Sequence, residues 1–408
     1  MSDLILHFTH VKQKFVEFNL LGSKSISQRA LIINALMDTD VKIRNLSQSS
    51  DTLVLQKALE SSNNTVNVAN SGTALRFLIS FFALKNEEVV INGDQYLFTR
   101  PITQLIQALN SIGANIMLVS NSVVIKKGVL TGGNVHIDSG KTSQFISSLL
   151  LISPYLKGGL TLHLPNEIYS FSYVNMTLSM LSISGVCVNY SDRIIRIRQG
   201  VYQKSFSSIE SDWSSVSYLY LAFLFSKLEK VRIKSFSKNS IQGDCQVADF
   251  FSLLGITTKY HDTCLVLTKN EHHLSPRKIE WNFSQNPDLS PAIFVACFGL
   301  GIQLQATGVK NLQYKESNRI LSMKTELQKF DCRVVIVSED IIFIDSKKRI
   351  DPTKLICIET YNDHRIALAF SPLALLGFQL KINKSNVIKK SYPNFFNDLI
   401  KFGVLIEK

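Results

Sequence analysis

The stretch LSMLSISGVCVNYSDRIIRIRQG, residues 178–200, closes an apolar helical pattern at Gly185, runs a β-branched strand, turns at a polar pair and returns as a second strand. The same order recurs in LNSIGANIMLVSNSVVIKKG (109–128), FFSLLGITTKYHDTCLVLTKN (250–270) and LQKFDCRVVIVSEDIIFIDS (327–346). Glycine past a helix end supplies the left-handed turn that stops it, and alternating β-branched residues favour the hairpin that follows. The turn markers Gly113, Gly185, Gly255 and Asp331 are 72, 70 and 76 residues apart, and Gly403 in LIKFGVLIEK follows 72 later. A supersecondary unit of about 70 residues therefore recurs. Extended backward to KALESSNNTVNV, where the spacing is shorter, the pattern predicts six units. One helix and one hairpin cannot enclose a core alone, so the units must pack side by side, as in an α/β protein with two similar halves.

With 408 residues the chain is long enough for two large domains. Its 45% hydrophobic and 19% charged residues are those of an ordinary globular protein. The formal charge of +12 predicts an anionic partner, whether nucleic acid, a membrane surface or a small phosphorylated or carboxylated substrate. No apolar run approaches the roughly 20 residues that span a bilayer, and MSDLILHFTHVKQKF lacks the charge order of a signal peptide, so the expected location is cytoplasmic. The six cysteines are scattered, with no C-x-x-C pair and no histidine at metal-ligand spacing, which reads as buried or incidental thiols rather than a zinc site.

The cations are not scattered evenly. LGSKSISQRA (21–30) gathers Gly22, Lys24, Ser25, Ser27 and Arg29 ahead of the apolar LIINAL. A helix N-terminus presents unpaired N–H groups and partial positive charge, so added hydroxyls and cations make an anion seat. VANSGTALRFL (68–78) sets Gly72 where backbone can approach a ligand closely, with Arg76 one turn on. FTRPITQLIQAL (98–109) puts Arg100 before Pro101 at a helix entrance, and DSGKTSQFISSLLL (138–151) adds Thr142, Ser143 and Gln144. The second half brings QNPDLSP (285–291) with Asp288, YKESNRI (314–320) with Lys315, Glu316 and Arg319, TYNDHRIALAF (360–370) with Asp363, His364 and Arg365, and IKKSYPNFF (388–396) with Lys389 and Lys390. Each stretch alone reads equally well as a capped helix or a solvated face.

Taken in order, GSKSISQRAL, NSGTALR, RPI, TSQF, IQGD (241–244), NPD, KESNR, TYNDHR and KKSYP make the chain resemble the 5-enolpyruvylshikimate-3-phosphate (EPSP) synthase family from residue 22 to residue 393. The resemblance implies two globular domains, each of three βαβαββ-type repeats of the inside-out α/β barrel type, with the active site in the interdomain cleft. It implies a discontinuous domain of residues 1–22 plus 212–408, and an inserted domain, 23–211, carrying most ligands of the shikimate 3-phosphate phosphate. The family reaction moves the enolpyruvyl group of phosphoenolpyruvate to the 5-hydroxyl of shikimate 3-phosphate and releases phosphate. Two anionic substrates must then share one site, which requires cations.

Carried onto this sequence, the resemblance places the phosphate of shikimate 3-phosphate against Thr142, Ser143 and Ser170. It places the ring against Ser25, Arg29, Asp288, Asn311 and Lys315, with Tyr173 nearby. Phosphoenolpyruvate falls to Lys24, Gly72, Arg100, Gln144, Arg319, Arg365 and Lys390. Glu316 is expected to protonate the methylene carbon and Asp288 to handle the hydroxyl proton, while Lys24, His364 and Lys390 stabilise developing charge or shuttle protons. No cofactor, metal, nucleic acid or membrane is implied, and a monomer is expected.

The sequence departs from the family pattern at Leu21, Ser71, Phe77, the run Ser170-Phe171-Ser172-Tyr173 and Asn318. These changes bear on loop rigidity and on glyphosate sensitivity, which retention of Gly72 favours. A related transferase acting on UDP-N-acetylglucosamine would carry a loop cysteine after about the first quarter of the chain, whereas no cysteine precedes Cys187. A nucleic-acid-binding protein would show aromatic platforms or basic stripes, but the phenylalanines lie in apolar runs and the cations in Gly/Ser loops.

Overall fold

The computed structural model describes residues 3–138, 142–166, 168–270, 272–346 and 354–407. The chain forms two compact units, one of Met1–Leu21 with Glu210–Lys408 and one of Gly22–Ile209. The first unit begins with β1 (Leu4–Phe8) and β2 (Phe15–Phe18). The second holds α1 (Lys24–Leu36), α2 (Ser50–Glu60), β3 (Thr65–Asn67), α3 (Gly72–Lys85), β4 (Val89–Asn92), α4 (Thr103–Ser111), β5 (Asn115–Val119) and β6 (Ser122–Lys126). It continues with β7 (Thr131–His136), α5 (Gln144–Ile152), β8 (Lys157–His163), α6 (Phe171–Ile183), β9 (Val188–Ser191) and β10 (Ile194–Ile197).

Back in the first unit come α7 (Trp213–Phe225), β11 (Lys230–Ile233), α8 (Val247–Ser252), β12 (Ile256–His261) and β13 (Cys264–Lys269). The next repeat is β14 (Lys278–Asn282), α9 (Ser290–Leu300), β15 (Gln303–Thr307), α10 (Arg319–Gln328), β16 (Arg333–Ser338) and β17 (Ile341–Asp345). The last is β18 (Leu355–Ile358), α11 (His364–Phe370), β19 (Gln379–Ile382), α12 (Phe395–Ile400) and β20 (Val404–Glu407).

The sheets β3-β4-β6-β5, β7-β8-β10-β9 and β14-β15-β17-β16 share one strand order. In each, the first two strands run parallel and a hairpin adds to them antiparallel. The sheet β12-β13-β11-β2 has the same pattern, with β2 as its parallel first strand. In β18-β19-β1-β20 the N-terminal strand β1 fills the place next to β19 that a hairpin strand takes elsewhere. Both N-terminal strands therefore complete sheets whose other strands come from beyond residue 229.

The five turn markers all sit at positive φ, 101° at Gly113, 87° at Gly185, 83° at Gly255, 61° at Asp331 and 109° at Gly403. Only Asp331 lacks glycine's freedom there, and a short polar side chain is the next best tolerated. The sixth repeat departs from the expectation. After α2 the chain has only Ser61–Asn64 before β3, which pairs parallel with β4 as the opening strand of the next sheet rather than as half of a hairpin. Among the described residues the sixth repeat keeps its helices, but its only strand pairing is the isolated parallel bridge between Arg44 and Ser208.

Helices apolar on every side must be surrounded by protein. In α7, WSSVSYLYLAFLF, every residue but Leu224 is buried, and α9 and α11 are buried almost throughout. They form the interior of the first unit, with the sheets outside, so β11 buries Val231 and Ile233 and turns Lys230 and Arg232 outward. In the second unit α3 and α5 take the central place. Among the described residues no helix is long and apolar enough to cross a membrane. Central helices bring their N-termini inside the units, where an exposed surface helix would offer them to water.

Candidate active site

In the second unit the opening turns of α1, α5 and α6 are tied together by one guanidinium. Arg29 Nε donates to Thr177 Oγ1 at 2.7 Å, and Nη2 donates to Ser147 Oγ and to the Tyr173 carbonyl, both at 3.1 Å. Its Nη1 donates to the Ser25 carbonyl at 2.8 Å. Burial lowers the Arg29 pKa to about 10, which leaves it charged near neutrality. The Phe77 ring lies beneath it, 5.5 Å from the guanidinium carbon, which accounts for an aromatic residue at this position.

Ser23 caps α1, accepting from the Ile26 amide, and the next residue, Lys24, pairs with Asp51 at 3.3 Å. Ser49, capping α2, places Asp51 in that helix's first turn, where the helix dipole favours a carboxylate. Ser71 caps α3. Arg76, one turn later, donates through Nη1 to the Gly72 carbonyl at 2.9 Å and to Gln144 Oε1 at 2.8 Å, and through Nη2 to the Pro101 carbonyl. Gln144 in turn donates to Thr73 Oγ1 at 3.0 Å, so its orientation is held from both sides. A Cβ on Gly72 would lie 2.7 Å from Arg76 Nη1 and 2.9 Å from Arg100 Nη1, so two guanidinium groups converge on a position without a side chain. Ser143 is buried just ahead of α5, Thr142 Oγ1 accepts from the Gln144 amide at 3.2 Å, and Ser170 precedes α6 at φ 63°.

In the first unit a second constellation centres on Asp288, in the 3-10 turn Pro287–Leu289 ahead of α9. Arg319, the first residue of α10, donates through Nη1 to Asp288 Oδ1 at 3.0 Å, through Nη2 to Glu316 Oε2 at 2.7 Å and through Nε to Asp363 Oδ2 at 2.9 Å. Arg365 donates to Asp288 Oδ2 at 2.8 Å, and Lys315 Nζ stands 3.5 Å from Oδ1. Burial works to raise the Asp288 pKa, but Arg365, Lys315 and Arg319 together overcome it and hold the carboxylate well below its usual range. Burial lowers the Lys315 pKa against the pull of Asp288. For Arg319, the carboxylates of Asp363, Glu316 and Asp288 outweigh burial and raise its pKa.

Asp363 caps α11, accepting from the Arg365 amide, so one carboxylate both starts that helix and orients Arg319. His364 follows, buried, with Nδ1 4.0 Å from Asp363 Oδ1. Lys390 is buried and Lys389 exposed, so the inward lysine of the pair is Lys390. Asn311 is buried in the 3-10 turn Lys310–Tyr314. Asn318 caps α10, accepting from the Leu321 amide at 3.2 Å, so this departure from the family pattern preserves the helix start that carries Arg319.

The residues read from sequence thus fall into two groups. Lys24, Ser25, Arg29, Gly72, Arg100, Thr142, Ser143, Gln144, Ser170 and Tyr173 belong to the second unit, and Asp288, Asn311, Lys315, Glu316, Arg319, His364, Arg365 and Lys390 to the first. Missing from the sequence reading are residues that hold them, namely Asp51, Ser147, Thr177 and Tyr218, while Asp244 entered it only as the last residue of IQGD, without a role. Arg365 Nη1 donates to the buried Tyr218 hydroxyl at 3.4 Å. Asp244, in IQGD, accepts from Ser214 Oγ and is pushed up to about 6 by burial and by the charge of Asp288. Asp244 had its signal in IQGD, and Asp51, following the Ser49 cap, had one that reads as an ordinary helix start.

The model of the EPSP synthase (3-phosphoshikimate 1-carboxyvinyltransferase) family matches residues 54–399. A 3-phosphoshikimate 1-carboxyvinyltransferase of Bacteroides fragilis is 36% identical over 389 residues, covering 94% of both chains. One from Photobacterium damsela subsp. piscicida is 31% identical, covering 94% of this chain and 96% of its own. The solved EPSP synthase of Acinetobacter baumannii shares the fold over the full length of both chains, with a TM-score of 0.77 at 20% identity. With its repeats, its two sets of helix-entrance cations and these relatives in agreement, the chain belongs to the EPSP synthase family.

Proposed function

We infer that the protein transfers the enolpyruvyl group of phosphoenolpyruvate to the 5-hydroxyl of shikimate 3-phosphate, releasing inorganic phosphate, as the carboxyvinyltransferase step of the shikimate pathway. The observation that carries this reading is the ion cluster in which Arg319 and Arg365 share Asp288 beside Glu316 and Lys315, in a chain of this family. Arginine forks of this kind match carboxylate and phosphate oxygens in pairs, so substrate anions can exchange with Glu316 and Asp288 as partners.

In the proposed reaction, Glu316 delivers a proton to the methylene carbon of phosphoenolpyruvate while Asp288 takes the proton of the attacking hydroxyl. The C–O bond formed gives a tetrahedral intermediate. Loss of phosphate and of a proton from the former methylene carbon then restores the double bond. Lys24 and Lys390 offset the charge that develops, and buried His364 relays protons. Thr142, Ser143 and Ser170 donate to the phosphate of shikimate 3-phosphate, and Arg29 and Tyr173 shape the ring site. One chain supplies both sets of groups, so we assign turnover to a single copy acting in the cytoplasm.

Phosphate release from phosphoenolpyruvate tests this directly. Release is expected with shikimate 3-phosphate and not with UDP-N-acetylglucosamine, and Glu316→Gln should remove about a hundredfold or more of the rate. Equal release with the nucleotide sugar, or an unaffected mutant, would overturn the substrate pair or the acid role respectively.

A further inference from the structure

A guanidinium offers five N–H donors in a rigid fork. In Arg29, which is only 3% exposed, four of them are committed within the second unit. Nε donates to Thr177 Oγ1, Nη1 gives one proton to the Ser25 carbonyl, and Nη2 gives its two to Ser147 Oγ and the Tyr173 carbonyl. These acceptors lie on α1, α5 and α6, and all are neutral. Among the described residues no carboxylate forms an ion pair with Arg29, whereas Lys24 has Asp51, and Arg319 and Arg365 share Asp288. A buried charge without a counter-charge is costly, so the arrangement is one that an anion completes. The neutral grip fixes the guanidinium and leaves its charge, with one Nη1 proton, to a ligand.

The shortest bond of that grip is the one from Nε to Thr177, at 2.7 Å. Nε lies at the stem of the planar fork, so a bond there determines where both Nη groups point. Thr177 carries the only hydroxyl among the buried residues of α6, the others being Val174, Met176, Leu178, Met180 and Leu181. A β-branched hydroxyl residue has no advantage in a helix interior on its own account. Its proton goes to Ser147 Oγ or to the Tyr173 carbonyl, each 3.0 Å away, and either choice leaves an Oγ1 lone pair for Nε.

We propose that Thr177 is a positioning residue of the acceptor site, holding Arg29 so that its remaining Nη1 proton and unneutralised charge meet an anionic group of the acceptor. This rests on the reading of the acceptor as shikimate 3-phosphate, which carries a carboxylate besides its phosphate. Thr177 acts through Arg29, so its loss falls on binding of the acceptor and spares the chemical step.

Steady-state phosphate release by the full chain, with each substrate varied in turn, tests it. Thr177→Val keeps the side chain's shape and removes the acceptor oxygen. KM for shikimate 3-phosphate should rise about tenfold or more, with kcat and KM for phosphoenolpyruvate within about threefold. Thr177→Ala, which favours the helix, should show the same split, so the test survives if one of the two does not fold. Thr177→Ser restores the hydroxyl and should stay within about threefold of wild type in all three constants. Ser80→Ala serves as a control, because it removes a buried hydroxyl that pairs with Ser148 and not with Arg29, and it should leave KM for shikimate 3-phosphate within about twofold. An active wild type overturns the proposal alone if Thr177→Val and Thr177→Ala keep its KM, if they move kcat and both KM values together, or if Thr177→Ser is equally impaired. A wild type that releases no phosphate overturns the reading of the acceptor, and the proposal with it.

Discussion

Arg365 holds Asp288 at two points, Nη2 on the carboxylate at 2.8 Å and Nη1 on the main-chain carbonyl at 3.3 Å. The carboxylate also faces Arg319 and Lys315, so it keeps three cations from repelling one another inside the first unit. Asp288→Asn should therefore cost about 3–5 kcal/mol of stability near neutral pH, as expected when one partner of a buried ion cluster is removed. The sign with pH follows from the depressed pKa of Asp288, since the unfolded chain takes up the proton first. The difference between wild type and mutant should be constant from about pH 5 to 8 and shrink below about pH 4, read by denaturant unfolding across pH. A difference that grew on acidification would contradict the assignment.

Asp244 should behave in the opposite sense. Its pKa is raised to about 6 by burial and by Asp288, so the folded state binds the proton more tightly than the unfolded one. Its favourable contribution is present below the ordinary carboxylate range and is lost as pH rises through 6. Asp244→Asn, measured by thermal melts from pH 4 to 8, should gain stability relative to wild type as pH rises and level off above pH 7.

At Gly72 the prediction is kinetic. Gly72→Ala introduces a methyl within 3 Å of the guanidinium groups of Arg76 and Arg100, one of them tied to Gln144. Those groups must shift, while the helix start itself gains from alanine. We expect KM for phosphoenolpyruvate to rise about tenfold or more with kcat within about threefold, and inhibition by glyphosate to weaken in parallel. An unchanged KM would remove this position from the phosphoenolpyruvate site.

The lysine pair gives an internal control. Lys390 is buried and Lys389 exposed. Lys390→Ala should lower kcat/KM by about two to three orders of magnitude, the range seen when a charge-stabilising donor is lost. Lys389→Ala should stay within about twofold, as surface substitutions generally do. Comparable losses at both positions would mean that burial does not report the role.

How much of this is legible in one dimension depends on the range of the interaction. Gly113, Gly185, Gly255, Asp331 and Gly403 announce the repeats because a left-handed turn constrains one residue at a time. The cation-rich helix entrances are equally visible, since hydroxyl caps, small residues and arginines lie within a few positions of each other. The missing sixth hairpin is not, because KALESSNNTVNV has a helix, a polar turn and a short strand whichever neighbour that strand chooses. Its choice of β4 rests on parallel pairing across the intervening helix α3.

The amino-acid sequence by itself thus determined the α/β repeat and the family, and it named the groups proposed to meet the substrates, because local backbone preference and short motifs carry that information. Only the tertiary structure decided what holds them. Lys24 meets Asp51 from 27 residues away, Arg319 meets Asp363 from 44, and Arg29 meets Ser147 and Thr177 from 118 and 148. Whether a buried charge finds its partner depends on how central helices bring their first turns together. That packing is a property of the whole unit, and no window of sequence contains it.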